Sequence, residues 1–212
     1  NVERGGFGKA GNVDIQSRAL ILKDGGSIEA GLRDEDISLP GGRGEGGNIQ
    51  IEATDFVSIS GVSFLQGFPS GLFASTEKGA NGNAGSIRVA TGDLRLTDGG
   101  IIEARTVNNG NAGNITLDAN NLIIERGGQV VSTTLDTGNS GDINLNIKDN
   151  VNISGSDPTF LDRLTQFGQN VVRVQSPESG IFANTISGST GDGGSIQIAN
   201  PRQLNVKDGA KI

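Results

Sequence analysis

The chain has 212 residues, among them 35 Gly and no Cys, His, Met, Trp or Tyr, and 24 acidic against 17 basic residues leave a net charge of -7. The lack of Cys excludes disulfide staples and thiolate metal sites, and the lack of His removes the usual transition-metal ligand and general base. An acidic chain without a dense Lys/Arg cluster argues against a nucleic-acid or anionic-membrane partner, and no apolar run reaches the ~18 residues needed for membrane insertion.

In chain order, the tetrad Gly-x-(Ala/Gly/Ser)-Gly recurs six times, opening at Gly8, Gly44, Gly82, Gly110, Gly138 and Gly191 and closing at Gly11, Gly47, Gly85, Gly113, Gly141 and Gly194. These twelve glycines are expected to be structural corners, where the chain turns or neighbouring backbones approach closely. After each closing glycine, two apolar residues alternate with polar ones, as in a half-buried strand: Val13/Ile15, Ile49/Ile51, Ile87/Val89, Ile115/Leu117, Ile143/Leu145 and Ile196/Ile198. A second pair follows, from Leu20/Leu22 through Val57/Ile59, Leu94/Leu96, Leu122/Ile124 and Val151/Ile153 to Leu204/Val206. A third lies beyond another corner: Ile28/Ala30, Leu72/Ala74, Ile102/Ala104, Val130/Ser132 and Ile181/Ala183, with Ile212 opening a sixth.

The closing glycines are separated by 36, 38, 28, 28 and 53 residues. A fixed period in this range marks a stacked supersecondary unit. The expectation is an all-β fold, a right-handed parallel β-helix of about six coils with three short strands and three corners per coil, forming one domain over residues 1–212. Coils starting at 85 and 113 set the 28-residue gauge, and the other lengths imply corner insertions. One follows Ala30 and contains Asp34-Glu35-Asp36; another runs from Val62 to Pro69; the largest spans about Ser156 to Glu178. Inside the last, Asp157-Pro158 predicts a short helix near 157–167, with Phe160, Leu161, Leu164 and Phe167 on one side and Gly168 ending it. Coils two and five echo each other, Pro69-Ser-Gly-Leu-Phe-Ala-Ser-Thr matching Glu178-Ser-Gly-Ile-Phe-Ala-Asn-Thr.

The pattern Gly-Asn-Ala-Gly-Asn-Ile-Thr-Leu, then a short apolar pair, then Gly-Gly-x-Val/Ile, resembles the repeat region of filamentous-haemagglutinin-type exoproteins of two-partner secretion, most closely the long Gly/Asn-rich cyanobacterial versions. The resemblance covers nearly the whole chain. It implies a rod exported through an outer-membrane pore, displayed at the cell surface or released, and serving as an adhesin towards host or cell-surface ligands. The chain reads as a piece of a longer rod. Asn1 would continue where Ile212 stops, placing Val2 in the small inward slot, so end-to-end self-association into a filament is a further expectation.

Candidate chemistry is sparse, and the expectation is no catalytic site, cofactor or metal. A carbohydrate-binding or polysaccharide-degrading β-helix is the alternative. It would draw on Glu29 and Glu103, which share an outward slot of the third strand and otherwise read as solvated charges. Asp34, Glu35 and Asp36 could hold Ca²⁺, while Asp24, Asp98 and Asp208 recur before a corner in a column that Arg126 interrupts. Asn12, Asn48, Ser86, Asn114, Asp142 and Ser195 follow the closing glycines and read as backbone partners. Phe64, Phe68, Phe73, Phe160, Phe167 and Phe182 are the candidate contact surface, expected chiefly as an outer layer beneath the insertions.

Overall fold

A computed structural model of the chain describes residues 1–34, 38–186 and 188–212. In chain order its elements are β1 (Phe7–Lys9), β2 (Val13–Lys23), β3 (Ser27–Glu29), β4 (Arg43–Glu45), β5 (Ile49–Ser60), β6 (Gly71–Phe73), β7 (Asn81–Asn83), β8 (Ile87–Thr97), β9 (Ile101–Thr106), β10 (Ile115–Glu125), β11 (Gln129–Thr134) and β12 (Ile143–Ser154). After them come helices α1 (Phe160–Phe167) and α2 (Gln169–Val172) and strands β13 (Gly180–Thr185), β14 (Ile196–Ala199) and β15 (Gln203–Lys207). Each strand pairs in parallel with its counterpart one coil away. The chain is therefore a parallel β-helix.

Register explains why these residues stack. Ile49, Ile87, Ile115 and Ile143 are successive Cα partners, as are Val57, Leu94, Leu122 and Val151, so like packs on like along the axis. All of these side chains are buried. Burying each one contributes roughly 1.5–3 kcal/mol, an energy no isolated coil could collect. The Ala30, Ala74, Ala104 slot joins the same core at the narrow side of the prism.

In the first five coils the first two expected strands are one. The first two apolar pairs lie on one long strand, and the ladder shifts register in its middle, between Ser17 and Ala19, Ala53 and Phe56, and Ala119 and Asn121. In the first coil the inward positions run Val13, Ile15 and Ser17, then Leu20 and Leu22. One extra residue bends the strand round the corner and restores the inward alternation, as a β-bulge does. In the sixth coil the bend breaks the strand into β14 and β15 at Pro201, which has no N–H to donate. In the first three coils the opening tetrad glycines also sit in a three-stranded sheet of their own, β1–β4–β7.

At the corners the glycines form two axial columns. A Cβ on Gly44, Gly82, Gly110, Gly138 or Gly191 would collide with the carbonyl oxygen of the opening glycine one coil earlier. A Cβ on Gly47, Gly85, Gly113, Gly141 or Gly194 would do the same to the closing glycine one coil earlier. Close backbone approach excludes any larger residue. Gly8 and Gly11, in the first coil, meet nothing. Beside the second column runs a side-chain ladder: Asn12 Oδ1 accepts from Asn48 N, Asn48 Oδ1 from Ser86 N, Ser86 Oγ from Asn114 N, Asn114 Oδ1 from Asp142 N, and Asp142 Oδ1 from Ser195 N, over 2.8–3.3 Å. Asn83, Asn111, Asn139 and Asp192 make a second ladder of the same kind.

Val2 bridges to Leu32 instead of entering the Ala30 slot. Asn1 Oδ1 accepts from Gly31 N, and Val2 N donates to Gly31 O, which fixes the register two residues further on. An offset of two keeps Val2 facing inward.

Candidate functional site

The insertions of coils two and five leave the prism at the same corner, and each closes with an antiparallel bridge, Val62 to Pro69 and Ser156 to Glu178. The echoed serines act alike: Ser70 Oγ accepts from Gly25 N, and Ser179 Oγ from Gly127 N, both at 2.9 Å. From its base, the coil-five insertion folds back over the outer face of the sheet β6–β9–β11. Phe160, Val172 and Val174 pack there on Phe73 and Ile101, with Val131 and Leu164 alongside. It reaches coil two, where the Phe167 ring lies against Gly67.

The helix begins later than Asp157. Asp157 Oδ1 accepts from Thr159 N and Oγ1, and its other oxygen pairs with Arg163. Arg163 is buried and Leu161 exposed, so the inner face of α1 carries an ion pair where an apolar side chain was expected. The four residues of α2 follow Gly168 directly.

Past α2 the chain makes its sharpest turn. Arg173 has φ 68° and ψ -42°, and Val174 N donates to Val172 O at 2.9 Å, which is the rare positive-φ γ-turn. The strained turn aims the guanidinium back at the rod. Its Nη2 reaches Glu103 Oε1 at 2.5 Å and Glu77 Oε1 at 2.8 Å, and its carbon sits 4.6 Å from the Phe73 ring centroid. Arg105 completes the network, with Nε 3.3 Å from Glu103 and Nη2 3.5 Å from Glu77.

Glu103 is therefore no solvated charge. It is 1% exposed, and Ser75 Oγ donates to it at 3.0 Å. Burial pushes its carboxyl up, but Arg105 and Arg173, with the hydrogen bonds from Arg173 and Ser75, outweigh burial and hold it below the ordinary glutamate value. Burial pulls the Arg105 guanidinium down against the pull of Glu103. Burial likewise opposes the charge on Arg173, yet Glu103 and Glu77 raise it above an ordinary arginine.

Beside this network lies an open trench of about 750 Å³. Arg33, Glu77, Val107 and Leu135 form one wall; each follows a member of the stacked column Leu32, Thr76, Thr106, Thr134. The insertion supplies the other wall through Gln169, Asn170 and Gln175, while Phe73, Arg105 and Arg173 contribute to the lining between them.

The remaining expected residues scatter. Phe73 and Phe160 are buried beneath the insertion, Phe182 lies over Gly180, Phe68 lines the trench half-exposed, and Phe64 is 92% exposed at a loop tip. Glu29 occupies the register of Glu103 but pairs with Arg33 at 2.6 Å. Asp34 pairs with Arg4 at 2.7 Å, and Glu35 and Asp36 lie outside the described residues. Asp24, Asp98, Arg126 and Asp208 all have positive φ, so their column is a turn position, and Arg126 holds Asp98 through two hydrogen bonds of 2.6 and 2.7 Å. Among the described residues no three His, Cys, Asp or Glu side chains are grouped to hold a metal ion. No helix among them is long and apolar enough to cross a membrane.

Sequence reasoning missed Glu77, Arg105 and Arg173. One signal was available: Glu103 shares its slot with Phe73, Val131 and Phe182. A carboxylate in an apolar column points to a covered face and a cationic partner. No family model, curated protein or solved structure matches this chain.

Proposed function

We propose that the chain is a non-enzymatic rod segment of a secreted or cell-surface exoprotein, serving adhesion or filament building by stacking coil on coil. The observation behind this reading is the stacking of like on like. Val57, Leu94, Leu122 and Val151 are successive partners on four coils and all are fully buried, so each coil covers the apolar slots of its neighbour with the same slots of its own. The extracellular assignment rests on the repeat resemblance. The carboxylates that a glycosidase would use are engaged: Glu103 and Glu77 by arginines, Glu29 by Arg33.

Immunogold electron microscopy of source cells with an antibody to this chain tests the reading. Label on extracellular rods or fibres is expected, and label confined to the cytoplasm would overturn it. Sedimentation over a wide concentration range tests the stacking; monodisperse monomer throughout, with no fibres by microscopy, removes the filament.

A further inference from the structure

We propose that the trench between the coil column and the coil-five insertion binds an extended acidic polysaccharide laid parallel to the rod axis. Its shape comes first. The column Arg33, Glu77, Val107, Leu135 crosses four successive coils, so at ~4.8 Å per coil the wall runs roughly 14 Å along the axis. A volume of about 750 Å³ lies inside the roughly 300–1,000 Å³ range of ligand sites.

Charge comes second. The lining carries five cationic side chains against three carboxylates, within a chain whose balance is the reverse. Among the described residues Lys78 makes no ion pair, whereas Arg4, Arg33, Arg105 and Arg173 each pair with a carboxylate. An exposed, unpaired ammonium in a net-positive trench favours a carboxylate-bearing ligand.

The neutral groups choose between polymers. Among the described residues the exposed side-chain amides of Gln66, Asn170 and Gln175 engage no protein partner, and the half-exposed Phe68 ring lines the same trench. Amides and a flat ring suit a chain with hydroxyls at every step. An acidic peptide would need a sheet edge or side-chain pockets. β6 and β9 are already paired on both sides and offer no edge.

The test is isothermal titration of the purified chain with oligogalacturonate, a neutral malto-oligosaccharide and polyglutamate. Two trench variants, Lys78→Glu and Asn170→Ala, and one control, Arg18→Glu on the exposed far bend, are compared after thermal melts confirm folding. Saturable oligogalacturonate binding is expected, weakened about tenfold by Lys78→Glu, the size of one lost charge-assisted contact. Asn170→Ala should weaken it too, and Arg18→Glu should leave it unchanged. Absence of binding, or equal loss in Arg18→Glu, overturns the site. Equal or tighter binding of polyglutamate overturns the saccharide, and tighter binding of the neutral sugar overturns the role of charge. This proposal goes beyond the rod reading and fails separately from it, since immunogold labelling does not depend on the trench.

Discussion

At the scale of single residues, the corner glycines and the buried network make opposite demands, one for absence of a side chain and the other for a full set of charges. Gly113 stacks on the carbonyl of Gly85, whereas Gly11 has open space where a Cβ would go. Gly113→Ala is therefore expected to cost about 2 kcal/mol or more, or to prevent folding, while Gly11→Ala stays within about 0.5 kcal/mol. Thermal melts followed by circular dichroism compare the two; equal effects would mean that the columns are not held by close approach. The ladder residue Asn114 is a milder case. Asn114→Ala leaves Asp142 N without its acceptor and should cost about 1 kcal/mol in urea denaturation.

Glu103 makes a pH prediction whose sign follows from its lowered pKa. The unfolded carboxyl titrates near 4.5, and the folded one below that. The stability it contributes is therefore fully present above the unfolded value and is lost as pH falls through the folded one. Wild type should lose melting temperature more steeply than Glu103→Gln between about pH 5 and pH 3. At neutral pH, Arg173→Ala strands Glu103 with a weaker set of partners and is expected to cost about 3–5 kcal/mol, as for a broken buried pair. Parallel pH profiles for wild type and Glu103→Gln would show that the network carries no linkage.

At the scale of elements, the coils and the places of the insertions were legible and the packing of the insertions was not, for one physical reason. A coil repeats its environment every 28 residues, so Ile87, Ile115 and Ile143 announce a column that any single one would not. The fusion of two strand segments escaped because a bulge changes the spacing of inward residues without changing their character; the step from Ala119 to Leu122 looks like a turn. The insertion has no period. Arg173 meets Glu103 across 70 residues, and only the fold brings them together. Leu161 likewise matched the apolar spacing of α1, yet Arg163 took the inner face because Asp157 waits there. Replacing residues 157–177 by a short Gly-Ser link should leave the coils folded, because each still has its neighbours. It should also uncover Phe73, Ile101 and Val131. The expected signature is an unchanged far-ultraviolet β spectrum with a clear rise in binding of the apolar dye ANS; loss of the β spectrum would make the insertion part of the folding core.

At the scale of the whole molecule, two kinds of coupling are superposed. Between coils, stability is a sum of nearest-neighbour terms, because each ladder touches only the next coil. The coil-five insertion breaks that rule. It meets Gly127 and Val131 on coil four, Ile101 and Glu103 on coil three, and Gly67 and Glu77 on coil two, so it spans a set number of coils like a strap. Duplicating residues 85–112, one clean coil, separates the two couplings. The copy carries its own Glu103 and Arg105, so Arg173 keeps those partners, but Glu77 and Gly67 move one coil out of reach. In the variant lacking the insertion, the added coil should raise both the urea midpoint and the m-value, because it adds buried surface and an interface. In the intact chain the m-value should rise as much, but the midpoint should gain less, because the contacts to coil two are lost. Equal midpoint gains in both backgrounds would mean that the strap adds nothing across coils and that the rod is a one-dimensional stack throughout.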